Sequence, residues 1–159
     1  MAEVRLRDVE DGDLDALFEQ MRDPEGVWMA AFTAKDPDDR AHFDAHMARV
    51  RVAPEVTMRA IVLDGQVVGH VAAFPGEHVG GLEVTYVVDR SVWGQGVASR
   101  ALGLLLEEVT DRPLYARAAS DNRASLRVLG KAGFQAVGTE RSFAQARQAE
   151  IEETVLRLD

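Results

Sequence analysis

Hydrophobic and polar positions along this chain fall into short alternating runs separated by runs at helical spacing. Val4 and Leu6 alternate with Arg5 and Arg7, which predicts a first strand. Asp11-Gly12-Asp13 offers caps for a helix over Leu14 to Met21, and Asp23-Pro24-Glu25-Gly26 is expected to break it. Val27 to Phe32 is aromatic and apolar without a clean period. It reads first as buried core, with the wall of a binding pocket as the alternative. Asp36-Pro37-Asp38-Asp39 opens a helix from about Arg40 to Val50. Val56 to Leu63, a turn at Asp64-Gly65 and Val67 to Phe74 predict a β-hairpin, closed by Pro75-Gly76. A loop, Glu77 to Gly81, then leads into a strand from Glu83 to Val88.

The second half continues the alternation. Val97, Ala101, Leu102, Leu105 and Val109 recur at helical spacing until Asp111-Arg112-Pro113, and Leu114 to Ala118 reads as a strand. Asp121 to Ser125 opens a helix through about Lys131, with Gly133 as its C-terminal cap. Ala136 to Arg141 and Glu150 to Arg157 are the last two strands, separated by Ser142 to Gln148. No repeat, low-complexity segment or internal linker interrupts the order, so residues 1–159 are expected to form one domain.

Candidate chemistry concentrates between the strand at Glu83 and the helix at Val97. Trp93-Gly94-Gln95-Gly96-Val97-Ala98 carries two glycines, which let the backbone turn its N–H groups outward beside the positive end of a helix. An anion such as a phosphate is the expected guest. A P-loop is excluded, because Val97-Ala98 stand where it needs Lys and Ser or Thr. A dinucleotide fingerprint fails as well, since Ser99 holds the third glycine position and Asp89 to Val92 intervene after the strand. The alternative is that Gly94 and Gly96 simply make a tight turn.

Composition narrows the classes further. The chain of 159 residues has a net charge of −9, which argues against nucleic acid as a partner and is compatible with a cationic one. With no cysteine there is no disulfide, thiolate metal site or cysteine nucleophile. The opening MAEVRLRDVEDGD is charged and no apolar run reaches membrane-spanning length, so no signal peptide, no membrane contact and a cytoplasmic location are expected. His42 and His46 lie four apart on the helix expected from about Arg40 to Val50, but no third ligand accompanies them, and no metal is expected.

The glycine block resembles the acyl-CoA-binding core of the GNAT N-acetyltransferase family, in its RimJ/RimL-type branch. The branch's run E-x-G-Y-x-x-x-x-x-x-W-G-x-G-x-A is matched by Glu83, Tyr86, Trp93, Gly94, Gly96 and Ala98, with Thr85 replacing its glycine. A second family run, N-x-x-S-x-x-x-L-x-K-x-G-F, is matched about thirty residues downstream by Asn122, Ser125, Leu129, Lys131, Gly133 and Phe134. The resemblance implies a mixed α/β (α+β) GNAT fold: a mostly antiparallel sheet of six to seven strands flanked by about four helices. It also implies an acetyl-CoA-dependent N-acetyltransferase acting on a primary amine, as a monomer or homodimer. A CoA-binding sensor or interaction module that has lost activity is the alternative.

The resemblance implies that the coenzyme is bound by the turn from Trp93 through Gly94, Gln95, Gly96, Val97 and Ala98 to Ser99, with Asn122 holding the pantetheine arm. Main-chain N–H groups around Val87 and Val88 would polarise the thioester. An alkyl amine with a pKa near ~10 must lose a proton before attack, and Glu83 on the central strand is the candidate acceptor. A salt-bridged or exposed Glu near the strand's start is the alternative. Many relatives use a Tyr as acid where Leu129 stands here, so Ser125 is the remaining hydroxyl for the departing thiolate, unless it only caps or positions its helix. Arg123, Arg127 and Lys131 form a basic stripe, either a counter-surface for phosphates or a solvated face. His70 and His78 are weaker candidates, without partners at a fixed spacing.

Overall fold

A computed structural model describes residues 3–77 and 80–159. Val4–Arg7 forms β1 and Leu14–Arg22 forms α1; α2 (Pro24–Ala30) and α3 (Arg40–Val50) follow. The hairpin strands are β2 (Thr57–Leu63) and β3 (Gln66–Pro75), and the central strand is β4 (Leu82–Val88). Then come α4 (Val97–Glu108), β5 (Leu114–Ala119), α5 (Arg123–Lys131), β6 (Gln135–Ala144) and β7 (Ala149–Leu158). The seven strands form one sheet in the order β1-β2-β3-β4-β5-β7-β6. β4 and β5 pair in parallel and every other neighbouring pair is antiparallel.

Among the described residues five α-helices flank the sheet, one more than the sequence leads one to expect. The addition is α2, where a break was expected at Asp23-Pro24. Asp23 is instead its N-cap, its carboxylate accepting from Gly26 N at 3.0 Å, and Pro24 takes the first helical position, where a missing N–H costs nothing. Nor is Val27 to Phe32 core as a run: Ala31 alone is buried, in a small cluster with Ala119 and Ala144 against which Phe32 packs. No residue of α2 is buried, and Trp28 is 55% exposed.

Two-residue alternation sends the sheet's side chains to two different layers. On one face Val71, Val84, Ala116 and Leu156 pack under Ala101, Leu102 and Leu105 of α4 and Leu129 of α5. On the other face Ala60 and Met58 meet Leu17 and Phe18 of α1 and Phe43 and Met47 of α3. His70 belongs to this second face, opposite Ala60 and Val87, and burial pulls its pKa down to about 4, so it is neutral. Gly69 beside it lets β3 and β4 approach closely, since a Cβ there would collide with the Val87 carbonyl.

The feature that positions the site is where β4 and β5 part. They pair only through Leu82–Leu114, Glu83–Tyr115 and Val84–Ala116. From Thr85 onward β4 keeps β3 on one side but loses β5 on the other. A gap therefore opens in the middle of the sheet.

Candidate active site

At the far end of the gap, β4 runs through a short 3-10 turn (Arg90–Val92) into the glycine turn and α4. Gly94 and Gly96 both have φ of 77°, in the left-handed region that favours glycine. Gly96 is the N-cap of α4 and supplies no side chain to its first N–H groups, and a Cβ at either glycine would meet nothing within 4 Å. Arg100 folds back to donate to the Gly96 and Gln95 carbonyls at 3.3 and 3.0 Å. The carbonyls are thus tied down from the helix side, and the turn stands open beside a helix N-terminus, where an anion is stabilised. Trp93 donates its indole N–H to Val88 O at 2.8 Å, which pins the turn against the end of β4. Val97 is buried under the turn, while Ala98 and Ser99 are half-buried at the helix start.

Backbone alternation decides which amides face the gap. Asp89 N donates to Val68 O of β3 at 2.7 Å, so Val87, two residues earlier, also turns its backbone to β3. Tyr86 and Val88 turn theirs the other way, into the gap. Of the expected pair Val87 and Val88, it is Val88 that has its N–H on the open side.

One face of the gap carries hydroxyls. Asn122 caps α5, its Oδ1 accepting from Ser125 N at 3.2 Å, and its Nδ2 donates to Met29 O at 3.3 Å. Asn122 therefore performs the capping and also ties α5 to α2. Ser125 Oγ, not needed as a cap, lies 2.8 Å from the Tyr86 phenol oxygen. Burial pushes the Tyr86 phenol up, and the Ser125 hydrogen bond opposes this in part.

The opposite face carries charge. Glu83 lies 3.8 Å from Arg117 Nε, and Arg117 also meets Glu153 and Glu140 at 2.9 Å each. The side chains of Glu83, Arg117 and Glu153 are 17%, 14% and 8% exposed. Glu140 and Glu153 stand directly opposite each other across β6 and β7, an unfavourable like-charge pair that Arg117 offsets from β5. These groups line a cavity of about 580 Å³ with Phe32, Phe74, Pro75, Glu77 and Ser142. Phe32 is placed there by Ala31, which ends α2 with a φ of 66° and accepts from Ala146 N at 3.1 Å. Arg147 staples the same wall, stacking 4.5 Å over Trp28 while binding both Asp121 oxygens.

Arg117, Glu140 and Glu153 had not been singled out from the sequence, and Tyr86 had entered only as a match to the first family run, with no role given to it. A signal existed for one of them: an arginine within the small apolar strand LYARAA needs carboxylate partners. The others needed the register. Arg123, Arg127 and Lys131 are all exposed on α5. His78 lies outside the described residues. His70 is buried away from the cavity lining. Among the described residues no three metal-ligating side chains cluster, and His46 Nδ1 is 3.1 Å from Arg49 Nη2. Among the same residues no helix is long and apolar enough to cross a membrane.

Comparison with known structures agrees with this architecture. The ribosomal alpha-N-protein acetyltransferase RimL in complex with coenzyme A superposes with a TM-score of 0.82 at 16% identity, covering 98% of this chain and 93% of that one. Spermidine N-acetyltransferase from Vibrio cholerae, in complex with CoA and spermine, gives 0.83 at 12% identity, over 98% and 94% of the chains. Mycobacterium smegmatis RimJ in complex with CoA-disulfide gives 0.82 at 21% identity, over 98% and 81%. No curated protein sequence matches the chain. The model of the acetyltransferase (GNAT) domain matches residues 3–135, and the chain therefore belongs to the GNAT acetyltransferase family, a family of acyltransferases.

Proposed function

We propose that this protein is an acetyl-CoA-dependent N-acetyltransferase of the RimJ/RimL-like type, passing the acetyl group directly to a primary amine. One observation carries the reading. A single gap between β4 and β5 has an open glycine turn at one end, carboxylates on one face and paired hydroxyls on the other. The coenzyme seen with RimL, RimJ and the spermidine enzyme supports the choice of donor.

In this reading the turn from Gly94 to Ser99 takes the coenzyme phosphates, and Asn122 borders the pantetheine arm. The Val88 N–H polarises the thioester carbonyl, since a donor fixed on a strand needs no reorganisation when charge develops. Glu83, directly or through a water, takes the proton that the ammonium must lose. Arg117 holds Glu83 in place beside two further carboxylates.

The cavity also points to the class of acceptor. Its lining includes four glutamates and one arginine, and that arginine is already shared among three of the carboxylates. Among the described residues the lining offers no further cation to an α-carboxylate, so free amino acids fit poorly, while amines carrying further positive charge fit well. Spermine in the Vibrio cholerae structure is an amine of that kind. Thiol release from acetyl-CoA across a panel of aliphatic polyamines, peptide amino termini and free amino acids tests the reading. Turnover is expected with polyamines above the rest. Binding of acetyl-CoA without turnover on any amine would leave a coenzyme-binding module instead.

A further inference from the structure

We propose that Tyr86 is a positioning residue for acyl transfer: its phenol O–H donates to Ser125 Oγ and thereby aims the single serine proton into the β4–β5 gap, at the departing sulfur. The inference rests on the acetyltransferase reading above and adds a residue to it.

The geometry favours one direction of the bond. The two oxygens are 2.8 Å apart and each group has one proton to give. If Ser125 donated to Tyr86, the phenol proton would be left with the Ser125 carbonyl at 3.5 Å, the outer limit of a hydrogen bond. If Tyr86 donates, the short contact is satisfied and the serine proton is free to turn elsewhere. A phenol is also the more acidic O–H and an alkyl hydroxyl the better acceptor, which favours the same direction. Ser125 has no competing duty, because the α5 cap is Asn122. Burial pushes the phenol up, so it stays a protonated donor throughout the neutral range.

Tyr86 is also held where this matters. It sits on the stretch of β4 that has lost β5, with its ring packed against the apolar core under α4 and α5. A hydroxyl that accepts one hydrogen bond becomes a stronger donor in the next, and a neutral donor in an apolar setting stabilises a new anion well. The balance of the step is simple. The ammonium first gives one proton to the carboxylate side; the neutral amine nitrogen then bonds to the carbonyl carbon and loses its second proton to solvent by the same carboxylate route. The carbon–sulfur bond breaks with its electron pair on sulfur. Ser125 holds that charge by a hydrogen bond until the thiol takes a proton from solvent.

The test compares Tyr86→Phe, Ser125→Ala and the double variant in steady-state thiol release, with thermal unfolding of each. Tyr86→Phe removes only the hydroxyl and is expected to lower kcat about five- to tenfold, with the KM for acetyl-CoA barely changed. The double variant is expected to match Ser125→Ala alone, because Tyr86 acts through Ser125. Melting temperatures should stay near the parent. Tyr86→Phe with parental kcat, or losses that multiply in the double variant, would overturn the role of Tyr86 while leaving the acetyltransferase reading intact. A parent protein without turnover on any amine would overturn that reading, and this proposal with it.

Discussion

The two faces of the gap are built from opposite materials. On the α4–α5 side, Tyr86 and Ser125 are neutral and surrounded by the larger apolar core, which includes Leu102, Leu105 and Leu129. On the α1–α3 side, Glu83, Glu140 and Glu153 converge on Arg117 around an open cavity. A nucleophile that arrives as a cation needs the second kind of surface, because it must be attracted and then deprotonated. A leaving group that departs as an anion would be repelled there, and is better met by neutral donors. The sheet keeps the two environments apart, and the gap lies between them.

The largest expected effect is on the charged face. Arg117→Met leaves three carboxylates facing one another, and should cost on the order of 3 kcal/mol of stability at neutral pH. Urea unfolding measures it, and lowering the pH should recover part of the loss as carboxylates protonate. Unchanged stability would mean that water, not Arg117, screens these charges, and the contrast between the faces would weaken.

His70 tests whether acid sensitivity belongs to the site or to the packing beneath it. Its folded pKa of about 4 lies below the ordinary value of 6.5, so the unfolded chain binds the proton more readily. The stability from a neutral His70 is therefore complete above about pH 6.5 and lost as the pH falls toward 4. The shift corresponds to roughly 3 kcal/mol at most. Urea midpoints taken from pH 7 to pH 4.5 should fall less steeply in His70→Leu than in the parent. Parallel curves would assign the acid loss to the carboxylate face.

Glu83→Gln is expected to lower kcat by about 10²-fold with little change in coenzyme affinity, measured by thiol release and isothermal titration. A kcat within twofold of the parent would move the proton acceptor to a water or to Glu153. The smallest of these effects is at the turn. Gly96→Val forces a β-branched residue into a φ of 77° and should weaken acetyl-CoA binding by more than ~1.4 kcal/mol, tenfold. Parental affinity in a folded Gly96→Val protein would remove the turn from the coenzyme site and leave the two faces without a common ligand.

Much of this was legible beforehand, and the reasons are local. The helix over Arg40–Val50 and the turn at Asp64-Gly65 were expected where they occur, because caps, glycines and periodicity act over a few residues. The misreading of Asp23-Pro24 is equally local: the same dipeptide breaks one helix and caps the next. Phe32 had two readings, core or pocket wall, and Ala31 settled it with a backbone turn that no composition announces.

What the chain's order determined by itself is most of the elements, the glycine turn, and the places of Glu83 on the central strand and Ser125 at the start of the last helix. Each depends on spacing within a strand or a helix. The partners of those residues were decided by register between strands far apart in sequence. Arg117 reaches Glu83 because the β4–β5 register sets Tyr115, two residues before Arg117 on the same face, opposite Glu83, and reaches Glu153 and Glu140 because β7 lies between β5 and β6. Tyr86 reaches Ser125 across thirty-nine residues because the gap lets α5 come down beside β4. Such contacts depend on how strands are laid side by side, and a linear pattern carries the faces of each strand but not its neighbours.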